Sequence, residues 1–174
     1  VQVPAFDQHE AYEDIDALLF DANGNGNLDL YVVSGGNSDP NSGPLYQDWL
    51  YLNDGFGRFI YAPYALPRME SSGGVVTALD FEGDGDTDLF IGGRVLTNRY
   101  PMPPRSYLLE NNNGQFTDIT NKASPKLLNP GMITDAAWAD IDSDGQPELI
   151  IIGEWMPIRI FKQKDDKSFI EITE

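Results

Sequence analysis

The chain has 174 residues and no cysteine, which excludes a disulfide framework, a thiolate metal site and a cysteine nucleophile. Acidic residues outnumber basic ones 28 to 11, and the net charge of −17 repels nucleic-acid phosphates and anionic lipid surfaces while favouring bound cations. A single histidine, His9, leaves no histidine-based zinc site or catalytic triad, and the 41% hydrophobic content supports a packed core without any apolar run long enough to span a membrane.

Residues 1–15 read as a lead-in with no matching partner later in the chain. The chain begins at Val1 without an initiator Met or signal peptide and stops at Glu174 inside a strand pattern, as expected of a piece of a longer protein. From residue 16 onward the sequence repeats itself. Phe20–Val33 (FDANGNGNLDLYVV), Leu79–Ile91 (LDFEGDGDTDLFI) and Ala139–Ile152 (ADIDSDGQPELIII) match, with first acids Asp21, Asp80 and Asp140 spaced 59 and 60 residues apart. A second set follows each: Trp49–Ala62, Ser106–Thr120 and Ile158–Thr173, all reading as strand, tight turn, strand. Asp54-Gly55 and Asn113-Gly114 supply the positive-φ residues that hairpin turns need, and Asp165-Asp166 takes that place in the third.

Each unit is therefore strand, acidic loop, strand, variable loop, strand, turn, strand. The pattern predicts an all-β protein of three four-stranded antiparallel β-propeller blades, 16–62, 74–120 and 132–174, a partial or incomplete propeller with residues 1–15 as lead-in or the remnant of a preceding blade. Small residues are expected where the innermost strands crowd the axis, and Ala17, Ala78, Ala136 and Ala137 fall on the first strands. Ser34–Gln47 and Gly93–Arg105 read as variable loops, the kind of segment that carries specificity on a constant scaffold.

In register, the three acidic loops place oxygen side chains at alternate positions. Position one is Asp21, Asp80 and Asp140; three is Asn23, Glu82 and Asp142; five is Asn25, Asp84 and Asp144; nine is Asp29, Asp88 and Glu148. Gly26, Gly85 and Gly145 stand at position six, where a sharp turn is needed, and Asn27, Asp86 and Gln146 at position seven, where a backbone carbonyl serves. Hard oxygens around one point suit a hard cation, and an all-oxygen set favours Ca2+ over zinc, copper or magnesium. The beginning is like an EF-hand loop, but position twelve is Val32, Ile91 and Ile151 rather than Glu, and the flanks are strands. The loops hold 11 of the 28 acids, and up to three calcium ions would take the charge from −17 to −11. Loop one, with two carboxylates, is expected to bind most weakly.

These motifs, together with GGRVLTNRYPMPPRSYLLENNNGQFTDIT and MITDAAW…IIGEWMPIRIF, resemble the FG-GAP or VCBS repeat of integrin-α-like β-propellers, and are similar to bacterial relatives of the cartilage acidic protein and ASPIC/UnbV group. The resemblance covers nearly the whole chain. It implies a calcium-stabilised propeller of secreted or cell-surface (extracellular or cell-envelope) proteins, with calcium in the loop joining the first two strands of each blade. Glu82 and Glu148 depart from the usual Asp, and the FG-GAP signature is kept only in fragments, Phe56-Gly57 and Gly92-Gly93.

The remaining residues point less sharply. Asp16 and Asp135 precede the first loop acid by five positions, where a strand-end hydrogen bond competes with a ligand role. Trp49, Trp138 and Trp155, with Tyr100 and Tyr107, read mainly as core, with Tyr100 as the exposed sugar-stacking candidate. Arg94, Arg99 and Arg105 read as structural pairing, and His9 as incidental. The leading expectation is a non-catalytic calcium-binding module for adhesion, with a protein or glycan as partner. It has no nucleic-acid partner and no membrane insertion, and it associates with further blades or another copy. The alternatives are a lyase-like enzyme, for which no base stands out, and a self-assembling scaffold.

Overall fold

A computed structural model of the chain describes residues 4–37 and 43–173. Twelve strands form there, in three antiparallel four-stranded sheets. The first sheet is β1 (Asp14–Phe20), β2 (Asp29–Ser34), β3 (Trp49–Asn53) and β4 (Phe59–Tyr61). The second is β5 (Ser72–Leu79), β6 (Asp88–Val95), β7 (Tyr107–Asn112) and β8 (Gln115–Asp118). The third is β9 (Met132–Ala139), β10 (Glu148–Glu154), β11 (Arg159–Gln163) and β12 (Phe169–Glu171). Spatial order follows chain order in every sheet, so the fold is all-β and built from propeller-type blades. Short helices, Pro4–Asp7 and Thr120–Ala123, only flank the sheets.

The blades stack face to face because their middle strands are apolar on both sides. Along β6, Leu89 and Ile91 join the core shared with Tyr31, Val33 and Leu50 of the first blade. Phe90, between them, faces the other way and packs with Leu149, Ile151 and Phe161 of the third. The period-two alternation thus serves two interfaces at once, and burial of such side chains stabilises by roughly 1.5–3 kcal/mol each.

The first two blades meet at glycines, one just after β2 and one on β5. Gly35 and Gly73 form a parallel bridge between the first two blades. A Cβ on Gly73 would lie 2.3 Å from Val33 Cγ1, so no larger residue fits there. Ala17 and Ala137, expected at the crowded axis, are instead exposed. Asp16 makes the next contact: one oxygen accepts from the Ala17 N–H (2.8 Å) and the other from the Val76 N–H of the second blade (2.9 Å). Its counterpart Asp135 accepts from the Ala136 N–H (2.9 Å). Both bond at the inner strand, and Asp16 also joins two blades.

His9 is structural. Its ring stacks on Trp49 at 3.7 Å and its Nδ1 lies 2.6 Å from the Tyr51 hydroxyl, so the lead-in covers the outer face of the first blade. Of the first variable loop, residues 38–42 lie outside the described residues. Pro44–Tyr46 forms a short 3-10 turn, and Tyr46 Oη meets Thr97 Oγ1 of the second variable loop at 2.7 Å.

Candidate metal centre

Each acidic loop connects the first and second strands of its blade, so the three loops lie at equivalent sheet ends. They share one hydrogen-bonded frame. The position-one carboxylate accepts from the N–H groups of positions five and six. The Gly26 N–H donates to Asp21 at 2.7 Å, Gly85 to Asp80 at 2.9 Å and Gly145 to Asp140 at 3.0 Å. The position-five side chain accepts from the position-seven N–H, at 2.8 Å for Asn25 and 2.9 Å for both Asp84 and Asp144. Position six has φ of 83°, 98° and 87° in the three loops, a left-handed turn that favours glycine. This frame brings the oxygens of positions one and five to the inside of each turn.

Position nine anchors the loop to the sheet. Asp29 is fully buried; its two oxygens accept from the Ala22 N–H (3.0 Å) and the Asn53 N–H (2.7 Å). Asp88 repeats this with the Phe81 N–H (3.1 Å) and the Asn111 N–H (2.8 Å). Burial pushes the Asp88 carboxyl up to about 7 against those two bonds, with Glu82 and Asp80 adding repulsion. The position-seven side chain Asp86 turns outward to accept from the Asn113 N–H (2.8 Å), which leaves the main-chain carbonyl as the donor that position can offer an ion.

A family model described as an FG-GAP-like repeat matches residues 21–91 and 95–151. The chain belongs to the FG-GAP-like repeat family. No curated protein matches it.

The three FG-GAP-like loops differ in charge balance. In loop two, burial raises the Glu82 carboxyl, and Glu110 and Asp84 beside it raise it further; Lys167, with Nζ 3.5 Å from Glu82 Oε2, partly offsets them. Its five acids do not converge as those of loop three do. Among the described residues, Asp140, Asp142 and Glu148 bring ligand-capable oxygens within 4.8 Å of one another, a grouping that could hold a metal ion. Yet a cation of the chain's own stands there. Lys162 Nζ lies 2.6 Å from Asp142, 2.7 Å from Asp144 and 2.9 Å from Glu148. The hydrogen bonds it donates to Asp142, Asp144 and Glu148 hold that ammonium well above the usual lysine range.

Calcium, which the family resemblance implies, can be tested against these donor sets. In loops one and two every inward donor is an oxygen, and the one ammonium beside them among the described residues, Lys167, reaches only Glu82, so the residues fit a hard cation. Asp21, Asn23, Asn25 and Asp29 would hold it in loop one. Asp80, Glu82, Asp84 and Asp88 would do so in loop two. In loop three the fit fails while Lys162 keeps its three partners.

Two positions on the third strand tune the sites, and neither stood out in the loop motif. The register places Leu52, Glu110 and Lys162 at one equivalent position, next to Tyr51, Leu109 and Phe161. Asn53, Asn111 and Gln163 follow. The Asn53 amide donates to Leu28 O (3.0 Å), and that of Asn111 to Thr87 O (3.0 Å), both at loop position eight. Gln163 departs from this, and its buried Nε2 has no partner in the structure. The signal was present in the strings LND, ENN and KQK, but it shows only once the strands are in register.

The other end of the blades carries the variable loops. Trp155 is 82% exposed and donates to the Tyr100 hydroxyl, so Tyr100 sits in an exposed aromatic pair, whereas Trp49 and Tyr107 are buried and Trp138 packs between Phe81 and Phe169. Arg94 pairs with Glu154 (2.7 Å), and Arg105 pairs with Asp118 and lies over the Tyr107 ring. Arg94 thereby links the second blade to the third.

Proposed function

We propose that this chain is a non-catalytic, calcium-stabilised propeller module of an extracellular or cell-envelope protein, acting in adhesion through a protein or glycan partner. One observation carries the calcium reading. In loop two, buried Asp88 stands close to Asp80 and Glu82, and Glu82 in turn lies against Asp84 and Glu110, with a single cation, Lys167 at 3.5 Å from Glu82, to oppose them. Clustered carboxylates of this kind lose less when a divalent ion stands between them, so ion binding becomes folding energy. Calcium suits the set better than magnesium because the oxygen donors are many, whereas magnesium prefers to keep several waters.

FG-GAP-like repeats are typical of extracellular proteins, where calcium is abundant, and no helix among the described residues is long and apolar enough to cross a membrane. The topology sets the acidic loops at one end of the blades and the variable loops, with exposed Trp155 and Tyr100, at the other, and we assign partner binding to the latter end.

The test is thermal unfolding in calcium, in excess chelator and in calcium restored. A reversible loss of about 3 kcal/mol is expected when an ion present at 100 times its dissociation constant is removed from a single site. An unchanged transition, with no calcium bound at equilibrium dialysis, would sink the reading.

A further inference from the structure

We propose that Lys162 is the resident cation of the third acidic loop, standing where the first two loops take a divalent ion. The proposal rests on the calcium reading for loops one and two and changes what that reading says of loop three. Within one chain the three loops act as controls for one another. Position one caps positions five and six in all three, so the backbone turn is the same. What differs is the group projecting from the third strand: Leu52, Glu110 or Lys162. The lysine places one ammonium within hydrogen-bond distance of positions three, five and nine together.

Two further departures fall in the same blade and fit the same explanation. Position nine is Glu148, one methylene longer than Asp29 and Asp88. One of its oxygens keeps the strand-end bond to the Ile141 N–H (3.0 Å), and the other reaches Lys162 Nζ (2.9 Å). In the first two blades that second oxygen takes the N–H of Asn53 or Asn111. The third blade has Gln163 at that place, whose side-chain amide is left without a partner. Glu148, Lys162 and Gln163 thus form one altered set. Convergence follows the charge: the acids that draw together within 4.8 Å are those of the loop that holds its own ammonium. An ammonium offers three donors and one charge, enough to satisfy three carboxylates while leaving no room for a second cation.

The experiment counts bound calcium by equilibrium dialysis for the unaltered chain and for Lys162→Leu, which copies the first blade's residue, with Lys162→Gln in reserve should the leucine variant not fold. In parallel, amine acylation of the unaltered chain is followed by mass spectrometry in chelator and in saturating calcium. The expected result is one more ion per chain in the variant, and a Lys162 amine that acylates several-fold more slowly than exposed Lys167 in both conditions. Equal ion counts in chain and folded variant would overturn the proposal. So would a Lys162 that becomes reactive when calcium is added, since the ion would then have displaced it. Should no calcium bind to either protein, the calcium reading itself fails, and acylation still decides whether Lys162 is held: reaction as fast as Lys167 overturns its role.

Discussion

In the first two blades the ninth loop residue is an aspartate whose oxygens each take a backbone N–H, whereas in the third it is a glutamate divided between one N–H and Lys162. The opposite ends of the blades differ in the same direction. Asp48, just before β3, accepts from the Ser34 N–H (2.8 Å) and the Tyr31 hydroxyl (2.7 Å) in the core. Ser106, just before β7, accepts from the Gly93 N–H (2.9 Å), and Ile158, just before β11, is an exposed apolar residue. One strand plan therefore tolerates buried carboxylates closed by backbone N–H groups, and also a version closed by the chain's own charge. What sets a blade's dependence on solution conditions is a handful of side chains around the strand ends, while the strands themselves are alike.

The largest break in this comparison is expected from pH at Asp48. Burial raises its carboxyl from 3.8 to about 7, outweighing the bonds from Tyr31 and Ser34 that lower it. A raised folded value means that the native state holds the proton more tightly than the unfolded chain. Asp48's contribution to stability is then full below about pH 4 and is lost as pH climbs through 7, by roughly 4 kcal/mol at about 1.4 kcal/mol for each pH unit. Urea melts across this range in saturating calcium should show the slope, and Asp48→Asn should flatten it. Next in size is Asp88→Ala, which leaves the buried Phe81 and Asn111 N–H groups without acceptors. A cost of about 3 kcal/mol is expected from chemical denaturation. Glu148→Ala should cost about half as much, because it strands one N–H and leaves Lys162 two carboxylates. The smallest effect sharpens the contrast most directly. Glu110→Lys gives the second blade the third blade's cation; in chelator it should stabilise by about 1 kcal/mol, and it should shrink the calcium-induced shift in Tm.

Much of this was legible before any coordinates. The oxygen pattern, the glycine at position six and the spacing of Asp21, Asp80 and Asp140 fix where each loop lies between strands, because those features are local and repeat. What escaped depends on contacts across strands or blades. His9 looked incidental because its partners, Trp49 and Tyr51, are distant in sequence. The alanines do fall on the first strands, but Ala17 and Ala137 are exposed there, and the close approach between the first two blades is made by Gly73 against Val33 of β2. Lys162 resembled any surface lysine, since its meaning comes from lying across from a loop fourteen or more residues earlier.

Asn111 carries a consequence for how calcium would be taken up. Its backbone N–H is held by Asp88 at loop two, and its buried side-chain amide donates to Thr87 O in that loop and, at 2.9 Å, to Ala22 O of loop one. One rigid side chain thus fastens the second residue of one acidic turn to the closing residues of the next. An ion that orders either turn also orders Asn111, so part of the entropic cost of the second binding event has already been met. On the proposed calcium reading, the two loops would be linked sites whose mutual effect is equal in both directions, and the first two blades would respond to calcium as a cooperative pair.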